Sequence, residues 1–374
     1  MTKKAKYAAL AEKLENDIAA GMYKVGDKFP SERVLVKRSG LSLLTVRQAF
    51  STLERKGLII RRQGAGSFVT ALKPQQEKVW IAVIVMDFNS EVAAGYQFIY
   101  AAWMRGLSEA MEEIGALITI MDMGIVKDPP ERLREVAEQE KGPAGYVFST
   151  VHHWMLDWLT GAAKRPPLPH VVIADRPVDR RLNVVTVDFE GASREMVRKF
   201  RGLGHERMAF VGTEGCNRWD GWVAGLKEHG LYERNRDMLI ADPERTSVLI
   251  VAEENGYRVA REFLKHPDRP TAVYCMNDSR AKGVLRAAEE LGISVPRELS
   301  IVGFDDMPGI DRLSTPLATF APDWEAVGRE AGKALITWIR KGAGYAPRCR
   351  VREIQLVERT SLGSAPGRAA AAGG

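Results

Sequence analysis

Cysteine is scarce in this chain of 374 residues: Cys216, Cys275 and Cys349 stand far apart. An odd, scattered set fits neither a disulfide framework nor a zinc site, and it suits a reducing cytoplasm. Long apolar runs are missing as well; none approaches the roughly 18 residues that a membrane span needs. The opening MTKKAKYAAL is basic but lacks the apolar stretch and cleavage pattern of a secretory signal. The six histidines show no metal-ligand spacing, and the adjacent His152 and His153 would point to different sides of a helix or strand. G-x-x-x-x-G-K-[ST] does not occur, and GTEGCNRWDG follows an apolar stretch without being G-x-G-x-x-G, so a nucleotide site has little support. With no catalytic residue, metal or cofactor to assign, the expectation is a protein that is not an enzyme and does not meet a membrane.

Acidic residues are sparse in one region. Residues 1–73 carry 15 Lys and Arg against 6 Asp and Glu, a net of +9, whereas the whole chain stands at +6 and the remainder therefore at −3. A basic head on a slightly acidic body is the footprint of a nucleic-acid module joined to something else. The length suits two or three domains. A hydrophobic content of 45% with 27% charged residues suits soluble domains with real cores.

In the head, Tyr7, Leu10, Ala11, Leu14 and Ile18 share one helical face. Ser31 is placed to cap a second helix with Val34 and Leu35 facing inward, and Gly40 to stop it. Ser42 caps a third, whose buried stripe is Val46, Ala49, Phe50 and Leu53, with Leu43, Thr45, Arg47, Gln48 and Ser51 toward the other side. GLIIRRQGAGSFVT then reads as a hairpin turning at Gly64 and Gly66 behind Arg61 and Arg62. This is the order of a winged helix-turn-helix, whose third helix can enter a major groove.

The pieces PSER, TVRQA, L-x-x-x-G-L and G-x-G-S-F-V occur in the order and spacing of a GntR-type winged-helix domain, which residues 7–69 resemble. The resemblance implies double-stranded operator DNA as a partner. It implies Arg33 and Arg47 as DNA contacts, Ser42, Thr45, Gln48 and Arg62 as further candidates, and Gly64 and Gly66 at the wing tip. In that family an arginine that reads guanine often follows the capping Ser; here Leu43 and then Leu44 stand there. Leucine cannot make a bidentate contact to guanine, though it can touch a thymine methyl. Packing against a partner is the alternative for both leucines.

The polar stretch 70–79, with Pro74, reads as a connector. The expected division is a DNA-binding domain over 1–72, a linker over 73–79, an effector domain over 80–362 and a flexible tail over 363–374. From Val79 onward, short apolar runs such as VWIAVIVMD, ALITIMD, GYVFS, HVVIA, RMAFVG, TAVYC and LSIVGFDD alternate with helical stretches. That pattern indicates parallel sheets covered on both faces, here as two α/β lobes. Ligands in such folds bind beyond the carboxyl ends of the strands. Asp87 and Asn89, Ser149, Arg218 and Trp219, Asn277 and Asp305 fall there, and polar groups beside aromatic rings suit a polyhydroxylated ligand. For several neighbours a structural role competes: Asp278 and Asp306 as helix caps, Trp219 and Trp222 as core, Arg218 paired with Asp220.

GHERMAFVG, RWDGW, NDSRAKGVLRAAEELGISVPRELSIVGFDD and TPLATF together resemble the effector domain of LacI/GalR-type regulators, a periplasmic-binding-protein-like fold. The resemblance implies Arg218, Asn277 and Asp305 around a sugar in a cleft between lobes. It also implies lobes over 80–187 with 319–345 and over 188–318 with 346–362, the chain crossing near Val187, Thr319 and Tyr345. The two resemblances together match the arabinose-repressor type of architecture. They imply a cytoplasmic, homodimeric transcription regulator, a repressor, released or retained by a small-molecule effector. The competing readings are an exported sugar-binding protein and a winged helix fused to a degenerate enzyme domain, a pyridoxal-phosphate aminotransferase-like part included.

Overall fold

The computed structural model describes residues 3–62, 64–70, 79–85, 97–122, 142–149, 156, 159, 168–174, 179–241 and 249–367. The chain divides into two compact units, Met1–Lys78 and Val79–Gly374.

In the first unit α1 (Lys3–Ala19) buries Leu10, Ala11, Leu14 and Ile18, the face its periodicity marks out. α2 (Glu32–Ser39) begins at Ser31, whose Oγ accepts from the Val34 N–H at 3.4 Å, and ends at Gly40 with φ 67°. α3 (Leu43–Arg55) begins at Ser42, whose Oγ accepts from the Thr45 N–H at 3.2 Å. Val46, Ala49, Phe50 and Leu53 pack from α3 onto α1, Phe29 and Leu35. β1 (Ile59–Arg62) and β2 (Gly66–Val69) form an antiparallel hairpin with Arg62 opposite Gly66. Gly64 and Gly66 take the left-handed φ values, 75° and 103°, that the tight wing turn requires. Two expectations fail in this unit. Val34 is 41% exposed, one residue off the phase of buried Leu35, and Thr45 is buried.

The second unit holds two six-stranded sheets. β3 (Trp80–Val85), β4 (Leu117–Asp122), β5 (Gly145–Phe148), β6 (His170–Ile173), β7 (Val184–Val187) and β13 (Cys349–Arg352) lie in the order β4-β3-β5-β6-β7-β13, all parallel. β8 (Met208–Gly212), β9 (Leu239–Ala241), β10 (Ala272–Cys275), β11 (Ser300–Phe304), β12 (Ala318–Ala321) and β14 (Gln355–Val357) lie in the order β9-β8-β10-β11-β12-β14. There the edge strand β14 runs antiparallel to β12, the one departure from parallel pairing in either sheet as described. Central strands are buried along their whole length, as Tyr146-Val147-Phe148 and Ala272-Val273-Tyr274 illustrate, because helices cover both faces.

The helices described are α4 (Gln97–Glu112), α5 (Phe189–Gly202), α6 (Asn217–Glu228), the single turn α7 (Tyr232–Asn235), α8 (Leu249–Phe263), α9 (Asp278–Glu290) and α10 (Trp324–Lys341). α4 packs on α10 so closely that a Cβ at Gly106 would sit 1.9 Å from the Glu325 carbonyl oxygen, and one at Gly328 1.8 Å from that of Trp103.

The chain crosses between the sheets three times, but two crossings fall later than expected. The first lies between β7 and α5. Thr319 sits inside β12, so the second follows Ala321. Tyr345 precedes β13, which still pairs with β7, so the third falls between Arg352 and Gln355. The stretch 363–367 is anchored too. The Gly363 carbonyl oxygen lies 3.0 Å from His205 Nε2, and the Ala365 N–H donates to Leu203.

Each sheet reverses its winding once. From β3 the chain adds β4 on one side and β5 on the other, and from β8 it adds β9 and then β10. The gaps beyond the carboxyl ends at β3/β5 and β8/β10 are therefore topological switch points, where open α/β sheets form ligand crevices.

Candidate functional site

The first candidate surface is the solvent side of α3 with the wing. Leu43, Leu44, Arg47 and Gln48 are exposed, and Ser42 is exposed at the helix start. An open groove of about 400 Å³ is lined by Tyr7, Leu44, Arg47, Gln48, Ser51 and Arg55. Glu32 orders the cations here: it accepts from Arg47 Nε at 2.9 Å and from Arg61 Nη2 at 2.8 Å, while Arg61 Nε reaches Glu54 at 2.8 Å. These pairs are half open to water, so they orient the guanidinium groups more than they add stability. The Arg62 guanidinium lies over the Phe68 ring at 5.0 Å, at the root of the turn that carries Gly64 and Gly66. Arg33 is exposed on α2. Thr45 drops out: its hydroxyl is 2.8 Å from Ser42 Oγ and its side chain is covered, so it completes the helix cap instead of meeting DNA.

The second candidate surface is at the carboxyl ends of β8, β10 and β11, which are neighbours in one sheet. Arg218 projects from the first turn of α6, which Cys216 caps by accepting from the Trp219 N–H. Arg218 is buried, its guanidinium 4.4 Å from the Phe189 ring centre and 4.6 Å from that of Phe304. Arg218 is therefore not the surface residue that the alternative with Asp220 assumed, since stacking between rings keeps the charge away from bulk water. Asn277 caps α9 through Oδ1, which accepts from the Arg280 N–H at 3.0 Å. Its Nδ2 is buried without a hydrogen-bond partner among the described residues. Asp305, directly after β11, is 8% exposed and has φ 102°.

A bonded network behind Asp305 holds this unusual backbone. Asp306, also left-handed with φ 52°, accepts from Arg359 Nη2 at 2.7 Å and is no helix cap. The Met307 N–H donates to Asp278 Oδ2 at 2.7 Å, and Thr319 Oγ1 donates to Asp278 Oδ1 at 2.7 Å. Asp278 thus ties the loop to β12; the capping role expected of it belongs to Asn277. Burial first, then the nearby charge of Asp305, pushes the Asp278 carboxyl well above the usual carboxylate range. Trp222 is core, packed between Phe210 and Tyr274, whereas Trp219 is partly buried and meets Phe210 edge-on at 5.7 Å.

On the other sheet Ser149 directly follows β5, and its Oγ is buried without a partner among the described residues. Asp87 and Asn89 lie outside the described residues. Ser149 flanks one switch point; Arg218 and Asn277 flank the other. Sequence reasoning missed Phe189 and Phe304 as the slot for Arg218, and Arg55 on α3; it named Leu44 beside Leu43 without seeing that Leu44 is the more exposed of the two. Helix phase was the available signal for the α3 residues. For Phe189 there was none, since β7 before it was not recognised.

Among the described residues no group of three or more potential ligands is placed to hold a metal, and no helix is long and apolar enough to cross a membrane.

Comparison with known proteins matches residues 6–69 to the family of bacterial regulatory proteins of the gntR type and residues 197–362 to a periplasmic binding protein-like domain. The chain is 28% identical over 352 residues to an arabinose metabolism transcriptional repressor of Geobacillus stearothermophilus, covering 90% of this chain and 92% of that one. Among solved structures it resembles a transcriptional regulator CelR–cellobiose complex. The TM-score there is 0.64 at 20% identity, over 89% of this chain and 100% of that one. It also resembles a LacI family regulator from Enterococcus faecium with bound ribose, with a TM-score of 0.59 at 21% identity, over 77% of this chain and 99% of the other. At those identities the two structures speak for the fold.

Proposed function

We propose that the chain is a transcription regulator joining a GntR-type winged-helix domain to a LacI/GalR-type, periplasmic-binding-protein-like effector domain, and that it works as follows. It acts in the cytoplasm as a homodimeric repressor whose hold on operator DNA is set by a sugar. The winged helices grip two half-sites, since two recognition helices on one dimer match a two-fold operator. α3 lies in the major groove with Arg47 and Gln48 toward bases and phosphates. Ser42 opens its N-terminus, Arg33 flanks it, and Arg62 with the wing tip at Gly64 and Gly66 reaches the adjoining backbone.

The sugar binds at the switch points. Arg218 and Asp305 take hydroxyls from opposite charge types, Asn277 Nδ2 and Ser149 Oγ gain a partner that they do not have among the described residues, and Trp219 covers an apolar face; Asp87 and Asn89, which follow β3 in sequence, complete the set. Neighbours of the same fold carry ribose and cellobiose, and the Geobacillus stearothermophilus relative is named for arabinose metabolism. Those names support a sugar over a nucleotide or an amino acid. Closure around the sugar shifts the dimer between two arrangements. Nearly complete release requires a differential affinity of up to about 5.5 kcal/mol.

The observation that carries this reading is one chain bearing both an exposed cationic helix-and-wing face and a buried Arg218–Asn277–Asp305 cluster at adjacent strand ends. Duplex binding followed against salt tests it. Affinity should fall steeply, with a log–log slope near −0.9 per phosphate contacted. Salt-independent binding, or none, would count against it.

A further inference from the structure

The centre of the exposed face of α3 is apolar. At ~100° per residue, the buried stripe of Val46, Ala49, Phe50 and Leu53 leaves Leu44, Gln48, Ser51 and Arg55 on the opposite side, and these four line the groove described above. Leu44 is 52% exposed; Leu43, at 41%, lies about a quarter-turn round the helix. A leucine held outward in this position contributes nothing to the core of its own unit.

The surroundings indicate what covers it. Arg47 and Arg55 share its groove, and Arg33, Arg61 and Arg62 are exposed in the same unit, whose sequence carries a net of +9. A rim of cations matches phosphates. Between two phosphate backbones the major groove offers one apolar group among polar base edges, the C5 methyl of thymine. One turn further along α3, exposed Gln48 matches adenine, whose N6 and N7 take a side-chain amide in bidentate fashion. We propose that Leu44 seats on a thymine methyl and Gln48 on an adenine one or two base steps away, so that the part of each half-site under the first two turns of α3 is A·T and not G·C. This rests on the regulator reading, in that α3 must enter the groove.

The test uses the full-length protein and a randomised duplex library, followed by uracil in place of each thymine of the selected half-site. Uracil removes only the methyl. At one thymine the wild type should bind about fourfold more weakly after the swap, the effect of one buried methyl. Leu44→Ala should lose that discrimination, while Leu43→Ala keeps it. Gln48→Ala should relax selection at the adenine. Because Leu44 is exposed, its replacement should leave the melting temperature unchanged, which separates lost contact from lost fold. A selected half-site with G·C pairs at these positions, or a uracil penalty that survives in Leu44→Ala, overturns the proposal while the regulator reading stands. A protein that selects no sequence and binds DNA without salt dependence overturns both.

Discussion

The two candidate surfaces of this chain handle charge in opposite ways. On the winged helix Arg47 and Arg61 stand 60% and 50% exposed, tethered to one glutamate at the surface. In the effector unit Arg218 is 8% exposed and stacked between two phenylalanine rings, and Asn277 is 1% exposed. An exposed charge is screened within about 10 Å at ordinary salt, whereas a buried one is screened far less. The first surface is therefore built for an extended polyanion and sensitive to ionic strength. The second is built for a small guest that must be desolvated, and it is insensitive to salt. The difference also decides what a mutation costs. Removing a surface cation affects binding alone, but disturbing the effector unit puts folding at risk.

That contrast can be broken most forcefully at the α4–α10 contact. Gly328→Ala places a methyl against the Trp103 carbonyl oxygen and should destabilise the effector unit by about 3 kcal/mol or more. Tryptophan fluorescence during urea unfolding checks it, because every tryptophan, from Trp80 to Trp338, lies in that unit. An unchanged midpoint would mean that the helices are not packed as described. Next in size, Arg218→Ala should weaken sugar binding about a hundredfold, losing both charged hydrogen bonds and ring stacking, with operator affinity intact. Calorimetry and fluorescence anisotropy separate the two readouts.

A comparable effect comes from pH. Burial pulls the His170 imidazole down from 6.5 to about 4. The unfolded chain then binds the proton more readily than the folded one, so stability present above pH 6.5 is lost as pH falls toward 4, in all about 3 kcal/mol. His170 should stay neutral at pH 5.5 by NMR, and urea midpoints should fall across that window; an imidazole that titrates near 6.5 would contradict its burial. Smallest, Arg47→Ala should weaken operator binding about tenfold, reduce the salt slope by about 0.9 if it contacts a phosphate, and leave sugar affinity unchanged.

What the sequence made legible follows from the same physics. The winged helix was readable because Ser31, Gly40 and Ser42 punctuate it and a period of 3.6 marks its core. Helix phase near the first turn was read loosely, which put Thr45 outside and Leu44 aside. Buried strands such as Tyr146–Phe148 and Val302–Phe304 stood out as unbroken apolar runs. β7, β12 and β13 did not: VVTV and ATFA each carry a threonine that breaks the apolar run, and CRVR at the edge of its sheet exposes most of its side chains. Unseen β12 and β13 displaced the second and third crossings. Arg218, Asn277 and Asp305 could be named as candidates because strand ends are predictable places and the family resemblance singled these three out there; the Phe189–Phe304 slot and the Asp278–Thr319–Arg359 support behind Asp305 come from residues distant in sequence, which pattern reading does not join.

The central claim is that one chain couples the exposed surface to the buried one. Operator binding of wild type and Arg218→Ala should be measured by anisotropy at fixed salt, with and without a sugar that raises the melting temperature in a screen of monosaccharides and disaccharides. The account predicts that the sugar shifts wild-type operator affinity by tenfold or more and leaves Arg218→Ala unmoved. A stabilising sugar that leaves wild-type operator affinity unchanged, or that shifts both proteins equally, would contradict it.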